Sequence, residues 1–305
     1  MGDAAPQLAI KIDVDTYRGT REGVPALVAL LKRMRVPATF LFSLGPDNTG
    51  RAITRIFRPG FFKKVSRTNV TKLYGYRTLL SGTLLPAPHI GRRCEALLRQ
   101  VRDQGFPVGI HCHDHYRWQD HLAGMSLDET RREFQQAVAE FERVFGEPPQ
   151  TAGAPGWQTT VHSLQAYDEA HLLYASDCRG TTPFLPRAHG LTFRTPQIPT
   201  TLPTLDELLG RPEYPDAAIV PHYLKLLRRD TPNILTSHAE IEGNHYLGLF
   251  EELLAAAQRQ GVQFTTMEAL AADLAKHPQT LPICDVAAGT VDGRSGTVTV
   301  QLPAA

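Results

Sequence analysis

Long apolar runs are missing from this 305-residue chain. No uninterrupted stretch approaches the roughly 20 apolar residues that cross a bilayer, so no transmembrane helix is expected. Cysteine is scarce: Cys94, Cys112, Cys178 and Cys284 lie far apart and form no C-x-x-C pair. That fits a reducing compartment or the cytoplasmic side of a membrane, although four cysteines could pair in a secreted protein. The opening Met-Gly-Asp-Ala-Ala-Pro-Gln lacks a basic stretch ahead of an apolar one, so no signal peptide is expected. A formal net charge of only +1 argues against a nucleic-acid partner by bulk charge. One absence is local. Between Arg51 and Arg93 there is no Asp or Glu, yet this stretch holds ten of the chain's 32 Lys and Arg. Large apolar residues such as Ile53, Phe57, Phe61, Phe62, Tyr74 and Tyr76 are interleaved with these cations. The mixture describes an interfacial membrane segment or a groove for an anionic lipid. An ordinary insertion with a solvated basic face accounts for it equally well.

What is present reads as strands alternating with helices. Hydrophobic residues make up 42% of the chain, enough for the core of one large barrel-like domain or two ordinary ones. Residues 8–15 form a strand that ends in two carboxylates. Val24, Leu27, Val28, Leu31 and Met34 recur at helical spacing and predict a helix over 21–35. Residues 38–44 are a second strand; so short a connection implies parallel pairing with a right-handed crossover. After the basic stretch the pattern predicts a helix over 94–104 and a strand over 107–111. A helix then opens with a Ser126 and Glu129 capping box and stops at Gly146. A short strand near 149–156, a helix over 161–170, a strand over 172–177 and an extended 191–200 come next. They are followed by a helix over 217–228, a strand over 233–238, a helix over 243–260, and a last strand and helix reaching residue 276. About seven such alternations mean an α/β fold on a parallel sheet. Residues 1–280 read as the barrel, with 51–93 inserted after its second strand. Residues 281–305 read as a tail with a hairpin over 289–301.

Polar residues gather at the carboxyl ends of these strands: Asp13 and Asp15, the run 111–115, Asp177 with Arg179, and His238. In parallel barrels that rim is where active sites are built. Asp13 and Asp15, two apart on a strand, can share a face. Three of the twelve histidines, His111, His113 and His115, fall within five residues. On a helical turn His111 and His115 share a face; on a strand all three do. A lone histidine or a single Asp at a strand end is usually structural. Three clustered histidines with a matching Asp-x-Asp are less easily accidental. Two histidines and a carboxylate with open positions make a hydrolytic metal site, and zinc, cobalt and manganese all accept that donor set. Such an ion lowers the pKa of water and polarises a carbonyl. A second carboxylate can take the water's proton, and His238 could protonate a leaving amine. Two rival metal motifs fit less well. The H-x-H-x-D-H of metallo-β-lactamases has one residue more between its second histidine and the aspartate than separates His113 from Asp114, and amidohydrolase barrels carry H-x-H on the first strand, where this chain has Asp-x-Asp.

Residues 12–25 (IDVDTYRGTREGVP), 42–48 (FSLGPDN), 111–118 (HCHDHYRW), 154–157 (APGW), 176–180 (SDCRG), 195–199 (TPQIP) with 201–203 (TLP), and 238–243 (HAEIEG) span nearly the whole chain in order. Through them the sequence resembles the polysaccharide deacetylase family, that of the NodB homology domain (carbohydrate esterase family 4). It is most similar to the branch that removes the formyl group from undecaprenyl-phosphate-linked 4-deoxy-4-formamido-L-arabinose. The resemblance implies a distorted (β/α)7 barrel. It implies Asp13 as general base, His238 as general acid, and Asp15, His111 and His115 as ligands of one divalent metal ion. Trp157, Asp177, Arg179 and Glu240 would support the site or touch substrate. The place of the arginine that orients the base in many members reads Ala154-Pro-Gly-Trp157, so Arg179 is expected to serve instead. His113 is expected to be a non-ligand.

The products implied are formate and a 4-amino sugar used to mask lipid A phosphates in polymyxin resistance. That places the protein peripherally on the cytoplasmic side of the bacterial inner membrane. Lys63, Lys64 and Arg67 are then the expected contacts to lipid phosphate and the anionic membrane surface, each cation worth ~1 kcal/mol there. Two other readings stand beside this one. A deacetylase of another N-acetylated glycan or glycolipid is disfavoured by the basic insert and the lack of an export signal. A non-catalytic sugar- or lipid-binding module is disfavoured by the intact Asp13, Asp15, His111, His115 and His238.

Overall fold

Strand β1 (Gln7–Val14) is buried from its second residue onward and hydrogen-bonded along both edges. The computed structural model that gives this arrangement describes residues 5–52 and 76–303. Lys63, Lys64 and Arg67 therefore lie outside the described residues. From β1 the chain crosses back through the helix Val24–Met34 to β2 (Thr39–Ser43). Next come β3 (Val108–Cys112), β4 (Thr151–Ala152) and β5 (Tyr174–Ala175). Strands β6 (Leu185–Ala188) and β7 (Leu191–Thr192) form a hairpin outside the main sheet. The chain then returns to the main sheet as β8 (Asn233–His238) and β9 (Gln263–Thr265).

The main sheet runs β5-β4-β3-β2-β1-β8, all parallel, with β9 beside the start of β1. Its two ends are joined by the extended residues 196–202. Ile198 N–H donates to the Ala175 carbonyl at one end, and Thr201 and Leu202 N–H donate to the Ile234 carbonyl at the other. This curls the sheet into a distorted α/β barrel, as the alternation of strands and helices predicts.

The two faces of β1 separate cleanly. Leu8, Ile10, Ile12 and Val14 pack outward in the large cluster that the surrounding helices share. Ala9 points inward, onto a small apolar floor with Tyr174, Ile198, Ile234 and Met267. Above that floor the interior positions turn charged: Lys11, Asp13 and then Asp15, all buried.

Local chemistry sets the helix ends. Ser126 and Glu129 make the reciprocal capping box, and Gly146 (φ 75°) ends that helix in the left-handed conformation. The helix expected from residue 243 starts only at Leu247. Residues 239–246 form turns instead, with Ile241 and Glu242 N–H both donating to the His238 carbonyl. Two glycines let this loop approach the segment after β1. A Cβ on Gly23 would run into the Ala239 carbonyl oxygen, and one on Gly243 would meet both Ala239 and Gly23.

The hairpin expected over 289–301 is wider. Strand β10 (Ile283–Gly289) pairs antiparallel with β11 (Val298–Gln301) and also parallel with β6. The result is a second sheet, β11-β10-β6-β7. The β6–β7 turn holds His189 (φ 51°) and Gly190 (φ 77°); the chain within 185–192, taken from sequence as plain extended structure in part, is thus folded back on itself.

The close approach at Gly23 predicts that Gly23→Ala costs about 1–3 kcal/mol by overpacking. Urea unfolding of the variant measures it; unchanged stability would mean that the two loops separate freely.

Candidate active site

Three strand ends bring five titratable side chains to one cavity of about 110 Å³, lined by Asp13, Asp15, His111, His115 and His238 among others. Asp13 lies in register with His238 on the neighbouring β8. Its inward direction follows from Lys11 two residues earlier, since alternate strand residues share a face. His111 ends the run of β3 beside a register shift between Phe42 and Ser43 of β2. The strand stops at Cys112, and Asp114 caps a new helix, His115–His121, by accepting the Arg117 N–H. His115 therefore returns towards His111 from a helix. The ring centroids are 5.3 Å apart.

His113 falls in the intervening turn and points away. Its Nδ1 lies 3.8 Å from Glu133 and its ring 6.1 Å from that of His89. It is absent from the cavity lining.

Asp15, His111 and His115 offer three donor atoms within 4.8 Å of one another. His111 Nε2 is 3.2 Å from Asp15 Oδ1, and His115 Nε2 is 3.5 Å from Asp15 Oδ2. His111 Nδ1 is 2.7 Å from the Gly153 carbonyl, which can only accept. That makes Nδ1 the donor and leaves the Nε2 lone pair facing Asp15, as second partners of metal-binding histidines do. Burial works to raise the pKa of Asp15, but His115 and His111 outweigh it and hold the carboxyl well below its ordinary range. Burial likewise pulls His111 down, and Asp13 and Asp15 together push it above its ordinary value. Asp13 Oδ1 and Asp15 Oδ1 are buried without a hydrogen-bond partner. Buried orphan carboxylate oxygens are costly and call for a cation or a ligand. The donor set fits a divalent ion.

The other expected site residues divide. Trp157 lines the cavity, its indole N–H donating to Thr200 Oγ1 and its ring 6.5 Å from that of His238. Asp177 does not reach the cavity. Its carboxylate accepts from the Ala154 N–H and from Gln197, bracing the ends of β4 and β5, and burial raises it to about 6.

Arg179 does not orient Asp13. It pairs with Glu207 at 2.6 Å and donates to the Leu202 carbonyl, with its guanidinium 5.2 Å from the Trp157 ring centroid. Lys11 is the cation beside Asp13. It is 0% exposed, with Nζ 3.4 Å from Asp13 Oδ2 and donating to the Ser176 carbonyl at 3.0 Å. A lysine needs a fixed partner to be buried, and the strand geometry gives it Asp13.

Glu240 braces the site from the loop after β8. It is buried and spends Oε1 on the Asp15 N–H, the Thr16 N–H and the Thr16 hydroxyl, so it ties the β8 loop to the β1 loop. Burial and the charge of Asp15 push its pKa well up. Its neighbour Glu242 accepts the His238 backbone N–H, and burial raises it to about 7.

Three polar residues of the cavity wall, Gln119, Asp206 and Arg294, are not among the expected site residues, and neither is Lys11 beside Asp13. The signal for Lys11 was present, as a lone cation in an apolar strand two residues before a carboxylate. Asp206 lies in the short helix Leu205–Leu208, which a Thr204 and Glu207 capping box opens, and Arg294 in the turn before β11, where no periodicity marks it.

The fold finds its counterparts among known proteins. Residues 5–175 match the polysaccharide deacetylase family profile, and the chain belongs to that family. It is 36% identical over 296 residues, 97% of this chain and 94% of the relative, to a Shewanella sediminis (strain HAW-EB3) protein named probable 4-deoxy-4-formamido-L-arabinose-phosphoundecaprenol deformylase ArnD. It is 31% identical over 289 residues, 93% of this chain and 98% of the relative, to a protein of the same name from Wigglesworthia glossinidia brevipalpis. The crystal structure of a probable polysaccharide deacetylase from Pseudomonas aeruginosa PAO1 shares the fold. Its TM-score is 0.58 at 16% identity, with 90% of this chain and 93% of that one covered.

The Lys11–Asp13 pair predicts a specific non-additivity. Lys11→Met strands a buried carboxylate and should cost about 3–5 kcal/mol in urea unfolding. Adding Asp13→Asn to that variant should recover much of the loss. Equal losses in the single and double variants would show that the two groups do not interact.

Proposed function

We propose that this protein hydrolyses the formamide of undecaprenyl-phosphate-linked 4-deoxy-4-formamido-L-arabinose. The products are formate and the lipid-linked 4-amino sugar, which serves lipid A modification and polymyxin resistance. The observation that carries the reading is the convergence of Asp13, Asp15, His111, His115 and His238 on one cavity, in a chain whose relatives over nearly its full length are named as deformylases of that lipid.

In this reading Asp15, His111 and His115 hold one divalent ion. When bound, it polarises the formyl carbonyl and makes water more acidic. Asp13, aligned by Lys11, takes the proton from the attacking water at a carboxylate oxygen. The water oxygen bonds to the formyl carbon, and the C–N bond breaks as His238 delivers a proton to the departing nitrogen. His238 lies next to Asp13 in register, so both proton carriers reach the same cavity. Lys11, 3.4 Å from its Oδ2, keeps Asp13 pointed inward.

The lipid carrier requires a phosphate contact and a membrane surface. A groove of about 680 Å³ runs beside the β1 loop, with Arg18, Arg21, Arg77 and Arg93 in its walls and Tyr17, Tyr76 and Leu85 between them. Asp47, in the same wall, accepts the Tyr17 N–H; burial raises its pKa, and the charge of Asp15 adds to this, so the groove adjoins the metal site electrostatically. Among the described residues no helix is long and apolar enough to cross a membrane. Peripheral attachment through this basic groove, on the cytoplasmic side of the inner membrane, suits that combination.

The reaction is tested by mass spectrometry of formate released from the formamido-arabinose lipid. The protein with zinc, cobalt or manganese should release it, and chelator should abolish release. Asp13→Asn should keep its metal and lose at least 100-fold in turnover, within the usual worth of a general base. His115→Ala should lose both metal and turnover. Wild-type turnover in Asp13→Asn would remove the assigned base.

Membrane attachment is tested by sedimentation with vesicles of phosphatidylglycerol. The Arg21→Glu, Arg77→Glu double variant should bind them at least tenfold more weakly, at about 1 kcal/mol per cation near the surface. Equal binding would exclude the groove as the attachment surface.

A further inference from the structure

Arg294 sits in the turn between β10 and β11, more than fifty residues beyond His238, yet its side chain lines the same cavity as Asp13, Asp15 and the histidines. The turn is anchored from outside. Arg294 N–H donates to the Val291 carbonyl, and a Cβ on Gly293 (φ 82°) would strike the Glu207 carbonyl oxygen, so the backbone here is pressed against the residues around Glu207. The side chain is 11% exposed. Its guanidinium lies 4.4 Å from the Trp157 ring centroid. For a buried arginine it is poorly satisfied. Its carboxylate neighbours are Glu207 at 3.5 Å and Asp206 at 3.9 Å, and Glu207 Oε1 is already taken by Arg179 at 2.6 Å. Nε is buried with no hydrogen-bond partner. Arginine carries five donors in a fixed fork. Leaving a buried donor unpaired is unfavourable, so a buried fork with one long contact and an open cavity in front of it is set for an acceptor from outside the chain.

The surroundings select the acceptor. A phosphate or carboxylate would face Asp206 and Glu207 across the same few ångströms, and those charges oppose it. A neutral hydroxyl does not meet that repulsion. It accepts from Arg294 and donates to Asp206, whose Oδ1 already accepts the Thr204 hydroxyl while Oδ2 faces Arg294. A donor and an acceptor side by side, on the wall of a cavity that Trp157 also lines, match two adjacent hydroxyls of a sugar.

We infer that Arg294, with Asp206, is the clamp for the vicinal hydroxyls of the substrate pentose, and that the C-terminal hairpin thereby sets which sugar is accepted. The inference rests on the proposed deformylation for the identity of the sugar. It makes Arg294 a substrate-binding residue that holds the ring so that the formamide meets Asp13. The ion and the proton carriers are left to other residues.

The test compares Arg294→Gln and Arg294→Lys with wild type. The substrates are the formamido-arabinose lipid and its 3-deoxy analogue. Arg294→Gln should raise KM about tenfold on the full substrate, with a smaller change in kcat and unchanged zinc content. Removing the hydroxyl should cost wild type a similar factor and cost Arg294→Gln little more. Arg294→Lys, which keeps a cation but not the fork, should fall between. If Arg294 only stacks on Trp157, Arg294→Gln will lose the same factor on both substrates, and the clamp is overturned.

A binding arm separates this from the reaction itself. The methyl glycoside of 4-formamido-arabinose is titrated, by saturation-transfer NMR, into Asp13→Asn and into Asp13→Asn with Arg294→Gln. Weaker binding in the double variant upholds the clamp even if wild type releases no formate. Equal binding in the two, alongside normal wild-type turnover, overturns the clamp and leaves the reaction standing.

Discussion

Charge buried inside β1 is the constraint on which the rest depends. Lys11, Asp13 and Asp15 face the barrel interior above an apolar floor, and the strand that carries them is covered on both faces. Several charges in a low-dielectric interior are tolerated only with fixed partners and hydrogen bonds. The surrounding elements read as the answer to that demand. Lys11 meets Asp13; His111 and His115 meet Asp15; and Glu240 takes up the backbone that follows. Two glycines, Gly23 and Gly243, allow the loop carrying Glu240 to come close enough. Asp13 and Asp15 each keep one unpartnered carboxylate oxygen, and both residues line the cavity where a metal ion and a substrate would complete them.

This layering explains why one strand supplies so much of the site. A metal ligand must be ionised at neutral pH, and a general base must be free of its proton but not of its orientation. Asp15 meets the first requirement because two imidazoles outweigh the burial that would otherwise raise its pKa. In the proposed reaction Asp13 would meet the second through a lysine on its own strand. That partner comes from two residues upstream, and Arg179 is paired with Glu207. The surfaces further out follow the same separation. The arginine groove lies beside the β1 loop on one side, and the hairpin bearing Arg294 closes the other.

Strand and helix order was legible in sequence because it rests on local patterns. β8 falls at the residues its apolar run marks, and the Ser126 and Glu129 box opens its helix where expected. The five residues that converge on the cavity were legible for a related reason: each sits at a strand end or one turn beyond it. What escaped was set by contacts across long separations. Arg179 is closer in sequence to the expected role than Lys11 is obvious, yet Glu207 claims it. Glu240 reads as a residue that supports the site or touches substrate, and only the fold reveals that three groups from residues 15 and 16 hold it. The second sheet joins β6 to β10 across about a hundred residues, a pairing that no periodicity announces. Arg294 became part of the site through that sheet.

β1 pairs with β8 from Leu8 to Asp13, joining residues more than two hundred positions apart. Such non-local pairing is slow to form, so during synthesis β1 waits with one edge open. An open, flat, apolar edge is a template for aggregation, and inward-pointing charge is one of the features that blunts it. Lys11 and Asp13 stand in the middle of that edge. The residues that later aim the base thus also guard the nascent strand, and a variant that made β1 wholly apolar would be expected to yield less soluble protein whatever its final stability.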